Sequence, residues 1–411
     1  MGGCAEGVPV SPTSSQTGIE ADRMLTIELL ERSYSRRTPL LKAERDFQAS
    51  LEEIGRQGVA GPIYQILKEN GSLHEVPDFY REGLEKMRDF SAYGNLLVKS
   101  HADRILEGLE REGIPTIALK GIWLSERLYG SMGVRPTADI DLLVREEQLE
   151  DASKLLYSLG FENADIERHN SYHRMFGKRN PGTQSPIFVE LHWHVIQTDY
   201  CRMECSRLWE HSKPLGSYEH IRELSAPDLF YTMCLHGAKH HMSSLKHVLD
   251  IARMIHLFGP QISYESLLQR AREDQLYGMV VMALSVAYRE LPHLSRLKTF
   301  GALRTWFPWD QELAAKKDED YRHYRFKGVT YYVYQSLFAM GKLDLPSHRA
   351  LFLWRSVFPH PEMIRVYLGR PETDSGFQLY ARWLGRFWLM RGHRTGSAPA
   401  SGILLQGDDK R

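Results

Sequence analysis

A short apolar segment that contains two acidic residues is the strongest constraint on how this chain can fold. In RPTADIDLLV, residues 135–144, Asp139 and Asp141 interrupt a run of Ile, Leu and Val. Runs of this length form buried β-strands, yet a carboxylate buried without a partner is expensive. Because side chains alternate across a strand, both aspartates point to one face, roughly 6 to 7 Å apart. Their repulsion predicts a cation between them.

Two interpretations of this pair follow from residue chemistry. Carboxylate oxygens suit Mg²⁺, which takes one or two protein carboxylates and completes its shell with water and substrate phosphates. Alternatively, Asp139 caps the preceding turn and Asp141 pairs with an arginine such as Arg135. For an isolated pair the second interpretation is the better one, so the choice depends on the surrounding sequence.

The surrounding pattern predicts an α+β protein, with a small mixed-sheet core between helical flanks. Apolar residues recur at helical spacing on both sides of a central region of short β-type runs. We expect, in chain order, a disordered leader (1–20), an N-terminal helical region (21–110), the α/β core (111–220), a C-terminal helical region (221–392) and a flexible tail (393–411).

The first supporting feature is the junction at Lys120 and Gly121. The run PTIAL (115–119) predicts a strand, and residues 121–129 predict a helix that starts directly after it. Unpaired N–H groups and the helix dipole make such a junction an anion site, and glycine permits close approach of a phosphate. Lys120 would add charge there, although a lysine at this position is more often only solvated.

The second supporting feature is an acidic residue in another predicted strand, SPIFVELHWHV (185–195). Alternation places Glu190 on one face with His192 and His194. A third carboxylate on a second strand is what a two-metal site requires. His192 is a candidate phosphate or substrate contact, whereas we expect His194 to pack against a helix.

Composition restricts the class of protein. Lys and Arg number 52 and so do Asp and Glu, a balance that argues against generic nucleic-acid binding. No apolar run is long enough for a transmembrane helix, and four cysteines suit a reducing cytoplasm. We therefore expect a cytoplasmic protein that has no membrane span and no membrane partner.

In sum, these motifs resemble the DNA polymerase β-like nucleotidyltransferase superfamily, and within it a bacterial group of uncharacterised nucleotidyltransferases. The resemblance is carried by A-L-K-G (118–121), L-Y (128–129), R-P-T-A-D-I-D-L-L-V (135–144), L-x-S-L-G-F ending at Phe161, V-E-L-H-W (189–193), L-H-G-A-K-H-H-x-x-x-L-K-x-x-x-D (235–250) and, more faintly, L-F-L-W-R-S-V-F-P-H (351–360).

The resemblance implies roles for individual residues. Asp139, Asp141 and Glu190 would be the catalytic carboxylates and ligands of Mg²⁺, or of Mn²⁺ in its place. Gly121 would face the nucleotide phosphates. The chain departs from the superfamily pattern because Ile122 stands where a serine or glycine usually follows Gly121, and because Asp139 comes later than usual. The phosphate contact of that serine would fall to Lys120 or to backbone N–H groups.

Further candidates for the nucleotide site lie outside the acidic strands. Lys246 and Asp250 are four apart on a predicted helix, and by resemblance they complete the nucleotide site together with Arg135. A surface ion pair between Lys246 and Asp250 is an equally good interpretation. His236 and His240 share a helix face and are weaker candidates for zinc, with His192 or Asp250.

The sequence thus predicts a Mg²⁺-dependent nucleotidyltransferase. It would transfer a nucleoside monophosphate from an NTP to a hydroxyl of an acceptor and release pyrophosphate. The sequence leaves open which NTP is used and whether the acceptor is a protein, a peptide, a sugar or a small molecule. A non-catalytic nucleotide-binding scaffold on the same fold is the main alternative, and a zinc-dependent hydrolase is a weaker one.

Overall fold

The computed structural model describes residues 25–34, 44–164, 172–179, 186–303, 329–361, 364–365 and 375–389. The predicted leader and tail lie outside these residues. The chain divides into two compact units. The first runs to Ala350, apart from residues 166–169, and the second contains the chain from Leu351 onward.

Helices precede the sheet in the first unit. They are α1 (25–34), α2 (Glu44–Gln57), α3 (Ala60–Glu69) and the 34-residue α4 (Asp78–Arg111). Helix α4 buries one stripe that includes Val98, Ala102, Ile105 and Leu109, at the three- and four-residue spacing of an amphipathic helix. This stripe packs against the sheet and fixes α4 beside the acidic strands.

One mixed sheet of seven strands is present in the described residues, in the order β3-β4-β5-β2-β1-β7-β6. Its strands are β1 (Thr116–Ala118), β2 (Asp139–Val144), β3 (Glu162–Asn163), β4 (His173–Lys178), β5 (Ile187–His192), β6 (Lys213–Pro214) and β7 (Ile221–Glu223). Strand β2 runs parallel to β5 and antiparallel to β1. The predicted α+β class with flanking helices is confirmed.

Helices connect and follow the strands. They are α5 (Ile122–Tyr129), α6 (Leu149–Ser158), α7 (Ser206–His211), α8 (Ala226–Lys239), α9 (Leu245–Phe258), α10 (Tyr264–Glu273), α11 (Tyr277–Glu290), α12 (Leu294–Leu297), α13 (Val329–Lys342), α14 (Pro346–Val357) and α15 (Gly376–Leu389). Helix α11 is buried along eleven consecutive residues, as expected for a helix that is apolar on all sides.

Strand β2 belongs to two hydrophobic cores at once. On one face Ile140, Leu142 and Val144 pack in the core beneath α4 and α6. On the other face Leu143 packs in the larger helical core, directly beyond Asp141. The strand is therefore held rigidly from both sides, and the two aspartates lie where the second core ends.

The structure differs from the sequence prediction at the ends of the core. Strand β5 stops at His192, so Trp193 and His194 lie beyond it. Strand β7 begins at Ile221, just past the predicted end of the core, and it pairs in parallel with β1. Three residues are too few to show an alternating pattern, which is why the sequence did not indicate this strand.

Candidate metal and nucleotide site

The carboxylates of β2 and β5 meet in the sheet. Asp141 is the direct partner of Glu190 in the parallel β2–β5 ladder. The side chain of Asp141 is fully buried, whereas those of Glu190 and Asp139 are 21% and 36% exposed. The site is thus an acidic notch that is deepest at Asp141 and opens toward Asp139.

The donor set of this notch fits a divalent cation. Asp141, Glu190 and His192 each offer a ligand atom, and the three atoms lie within 4.8 Å of one another. One oxygen of Asp141, Oδ2, is buried and has no hydrogen-bond partner, an arrangement that is costly unless a cation completes it. Within the described ranges no other group of three acidic, histidine or cysteine residues is this close. Asp139 lies outside the group, so its role as a metal ligand stays a prediction.

Lys120 provides positive charge in the protein itself. Its Nζ lies 2.9 Å from Asp141 Oδ1 and 3.7 Å from Asp139 Oδ2. Burial alone would lower the pKa of Lys120, but Asp139, Asp141 and Glu190 together raise it above its ordinary value. The lysine is therefore charged and pairs with both aspartates, and the metal ion predicted between them stays a prediction.

His192 links the two deepest carboxylates. Its Nε2 lies 3.1 Å from Glu190 Oε2 and 3.3 Å from Asp141 Oδ1. Burial lowers the pKa of His192, but the hydrogen bonds to both acids outweigh burial and raise it. Burial likewise opposes ionisation of Glu190, yet His192 and Lys120 lower the pKa of Glu190 to about 2. Glu190 is consequently a firmly ionised carboxylate at neutral pH.

Gly121 shapes the turn between β1 and α5. Its φ of 86° and ψ of −134° lie in a region that side-chain-bearing residues rarely adopt. A Cβ at this position would lie 3.1 Å from the carbonyl oxygen of Asp139. Helix α5 starts at Ile122 without a side-chain cap, and the phosphate contact at this junction stays a prediction.

Asn95 of α4 holds the loop that leads into β2. Its side-chain amide donates to the carbonyl oxygens of Met132 and Arg135 and accepts from the N–H of Thr137. Ser125 of α5 supports the same loop by accepting from the N–H of Arg135. Neither residue was predicted, because a lone polar residue on a helix shows no partner in the sequence.

Arg135 and Asp250 form a buried bidentate ion pair. Arg135 Nε donates to Asp250 Oδ1 at 2.8 Å and its Nη2 to Oδ2 at 2.9 Å, and both side chains are at most 3% exposed. The alternatives raised by the sequence are therefore wrong: Arg135 does not pair with Asp141, and Asp250 is not in a surface pair with Lys246. Nucleotide contact by Arg135 and Asp250 stays a prediction, and in this structure they anchor the β2 loop to α9.

Lys246 also reaches this loop. Its Nζ donates to the carbonyl oxygen of Pro136 at 3.1 Å. Burial and the neighbouring charge of Arg135 lower the pKa of Lys246 to about 8. The structure brings Lys246 close to the acidic strand, where its predicted role as a phosphate contact is not yet tested.

The family model described as uncharacterised nucleotidyltransferase matches residues 43–291, more than half of the chain. The chain belongs to this nucleotidyltransferase family. No curated protein and no solved structure matches the chain. The matched range of the nucleotidyltransferase covers all the site residues described above.

A second histidine, His173, lies beside His192 at the acidic notch of the nucleotidyltransferase. His173 of β4 is the ladder partner of His192, with ring centroids 5.0 Å apart, and it escaped prediction because the segment before it shows no clear pattern. Burial and His192 lower the pKa of His173 to about 4. His194 lies outside the notch: its Nε2 contacts the carbonyl oxygen of Met203, and its Nδ1 accepts from the N–H of Ile196. Its predicted packing against a helix stays a prediction.

The predicted zinc candidates form a separate cluster. The rings of His236 and His240 lie 4.7 Å apart, and both pack near His247 of α9 at 5.4 and 5.5 Å. They do not join His192 or Asp250 in a shared ligand group among the described residues. The close ligand atoms of Asp141, Glu190 and His192 therefore favour the acidic notch over these histidines as the candidate metal site of this protein.

No helix in the described part of the chain is long and apolar enough to cross a membrane.

Proposed function

We propose that this nucleotidyltransferase is metal-dependent and transfers a nucleoside monophosphate from an NTP to a hydroxyl of an acceptor, with release of pyrophosphate. The observation that carries the proposal is the ladder pairing of Asp141 with Glu190 beside the glycine-started helix α5. Family membership supports nucleotidyl transfer in general, and the donor set supports a divalent cation.

Asp141, Glu190 and His192 would hold the cation, with Asp139 at the open side. Mg²⁺, or Mn²⁺, would supply Lewis-acid stabilisation of the charge that develops on the phosphate oxygens. We assign Glu190 to cation binding rather than to proton abstraction, because a carboxylate whose pKa is about 2 is a poor base at neutral pH.

Residues on the β1 side would bind the triphosphate. The backbone at Gly121 and the start of α5 present N–H groups to an anion. Lys120 is within reach of the same notch, and it would move from the aspartates to the phosphates once a divalent cation neutralises the acids. Catalysis would then arise from positioning and charge neutralisation. The helical flanks would form the acceptor side of the cleft.

The decisive experiment combines pyrophosphate release with labelling. The protein is incubated with each α-labelled NTP, Mg²⁺ or Mn²⁺, and cell lysate as the source of acceptor. We expect one NTP to label a discrete acceptor and a chelator to prevent this. The Asp141→Asn variant should lose at least about a hundredfold in rate, since outer-shell changes at metal sites alone cost 10- to 100-fold.

The matched control is Asp151→Asn, an aspartate of α6 whose side chain is 63% exposed. This variant should transfer at the wild-type rate. The proposal would be contradicted if the protein binds an NTP but neither transfers label nor releases pyrophosphate with any of the four nucleotides. That result would favour the non-catalytic scaffold. Stoichiometric zinc in the purified protein would favour the hydrolase.

A further inference from the structure

Large apolar side chains are exposed in the second compact unit, on α15 and on the part of α14 that follows Ala350. On α14, Leu353, Trp354 and Val357 are 49%, 59% and 48% exposed, and on α15 Phe377 is 85% and Leu384 37% exposed. None of the twelve residues of α14 is buried, although the structure describes all of them. These helices therefore present apolar surface to solvent, although Leu379 of α15 is fully buried.

Helical spacing collects these side chains into faces. Leu353, Trp354 and Val357 lie at i, i+1 and i+4, and Phe377 and Leu384 are two turns apart on one side of α15. Short helices in water gain most of their stability by packing an apolar face. Both faces thus require an apolar environment from outside the helices.

Contacts join α14 and α15 into one body, which we call the C-terminal helix pair. Tyr380 of α15 donates its hydroxyl to the carbonyl oxygen of Pro359 at 2.7 Å, and Trp383 Nε1 donates to the carbonyl oxygen of Val357 at 3.1 Å. The ring of Phe358 lies between those of Trp354 and Tyr380, at 4.4 and 6.0 Å.

The charge of the helix pair has one sign. Helices α14 and α15 together contain four arginines (Arg349, Arg355, Arg382 and Arg386) and no Asp or Glu, although acidic and basic residues are equal in number over the whole chain. Trp and Tyr are enriched at membrane–water interfaces. Helices that combine arginines with such aromatic faces lie in the plane of an anionic bilayer surface.

We propose that the C-terminal helix pair docks this protein on the surface of an anionic membrane. The exposed side chains of Leu353, Trp354 and Phe377 enter the interfacial region, and Arg355, which is also exposed, meets lipid phosphates. A bilayer offers an apolar layer and anionic groups together. It can therefore bind apolar residues that are spread over two helices and do not form a pocket. The interaction is peripheral, since no described helix can span a bilayer.

The test is flotation of the full chain with vesicles. One set contains phosphatidylcholine alone, and the other contains phosphatidylcholine and phosphatidylglycerol at 70:30. We expect binding to the second set, little binding to the first, and release at high salt because the attraction is screened. Phe377→Glu should weaken binding at least about tenfold, the effect of withholding one phenylalanine from an apolar phase. Arg355→Glu should weaken it about fivefold or more.

Matched controls come from the first unit. Phe90 of α4 is 81% exposed and Arg45 of α2 is 89% exposed, so Phe90→Glu and Arg45→Glu change similar side chains elsewhere and should bind like wild type. The proposal is overturned if wild type binds neither vesicle set, or if Phe377→Glu and Phe90→Glu bind equally well. It is also overturned if Phe377→Glu abolishes self-association or nucleic-acid binding while lipid binding is unchanged. Circular dichroism verifies that each variant is folded.

Discussion

Lys120 stands in the acidic notch as an internal counter-ion, and replacing it should expose how much the carboxylates repel one another. Lys120→Met keeps the length of the side chain and removes the charge. Asp141 would then remain fully buried, with His192 as its nearest partner at 3.3 Å. We expect the metal-free variant to be markedly less stable than wild type.

The magnitude follows from the two distances. At an effective dielectric constant of about 20, charges 2.9 and 3.7 Å apart attract by about 6 and 4.5 kcal/mol before desolvation is subtracted. Desolvation of the lysine offsets much of this, and removal of one partner from a buried pair costs about 3 to 5 kcal/mol in practice. For a unit that spans Met1–Asp165 and Asn170–Ala350, an unfolding entropy of about 2.1 cal/mol/K per residue converts this loss into a fall in Tm of roughly 4 to 7 °C.

The assay is thermal unfolding in a chelator and in Mg²⁺. A divalent cation that occupies the notch stabilises the folded state by mass action, and in the variant it has no lysine to displace. Mg²⁺ should therefore raise the Tm of Lys120→Met more than that of wild type. Lys154→Met is the control, because Lys154 pairs with Asp151 on the surface and is 75% exposed; its Tm should not change.

Two results would refute this reasoning. One is a Tm of Lys120→Met within about 2 °C of wild type in the chelator, below the fall that the ion pairs imply. The other is an equal Mg²⁺-induced shift in both proteins. The first result would mean that the two ion pairs of Lys120 contribute little stability, and the second that the lysine and the cation do not compete for the same carboxylates.

Three further predictions concern the turn and the loop around the notch. Gly121→Ala should lower the transfer rate and reduce the free energy of unfolding by about 1 to 3 kcal/mol. Gly130→Ala is the control, because Gly130 also has a positive φ but no atom lies near its Cβ, and its transfer rate should not change. Equal rates in the two variants would contradict the close approach of residue 121 to Asp139. Folding disfavours the charged form of Lys246, because its pKa is lowered to about 8 from 10.5. The free energy of unfolding of wild type, measured by denaturant titration, should therefore rise relative to that of Lys246→Met between pH 8 and 10.5. A difference that is constant over this range would refute the pKa shift. Asn95→Ala should reduce kcat, and it should lower the free energy of unfolding by about 1 to 3 kcal/mol or more because buried loop groups lose their hydrogen-bond partner. An unchanged kcat in steady-state kinetics would show that the loop does not need the hydrogen bonds of Asn95.

Local pattern was enough to predict the acidic strands. The alternation in β2 and β5 places Asp141 and Glu190 on defined faces, and the resemblance to nucleotidyltransferases brought the two strands together. The structure confirms the α+β class, and it pairs Asp141 with Glu190 in the β2–β5 ladder. Their catalytic roles stay predictions.

Long-range partners could not be predicted in the same way. Arg135 meets Asp250 across 115 positions, and Asn95 meets Arg135 across 40. Such pairs depend on how α4 and α9 pack against the sheet, which no periodicity in one segment specifies. Lys120 illustrates the limit most clearly: the sequence offered it as a phosphate contact, and the structure shows it bound to the aspartates.

The anchoring of the β2 loop has a consequence for any attempt to shorten the protein. Its hydrogen bonds come from α4, α5 and α9, so the aspartates acquire their positions only when segments on both sides of the sheet have already docked. A fragment limited to residues 111–220 would contain every carboxylate of the notch and still lack Asn95, Lys246 and Asp250. Assembly of the notch is therefore a property of the whole first unit, and a minimal active piece must retain both helical flanks.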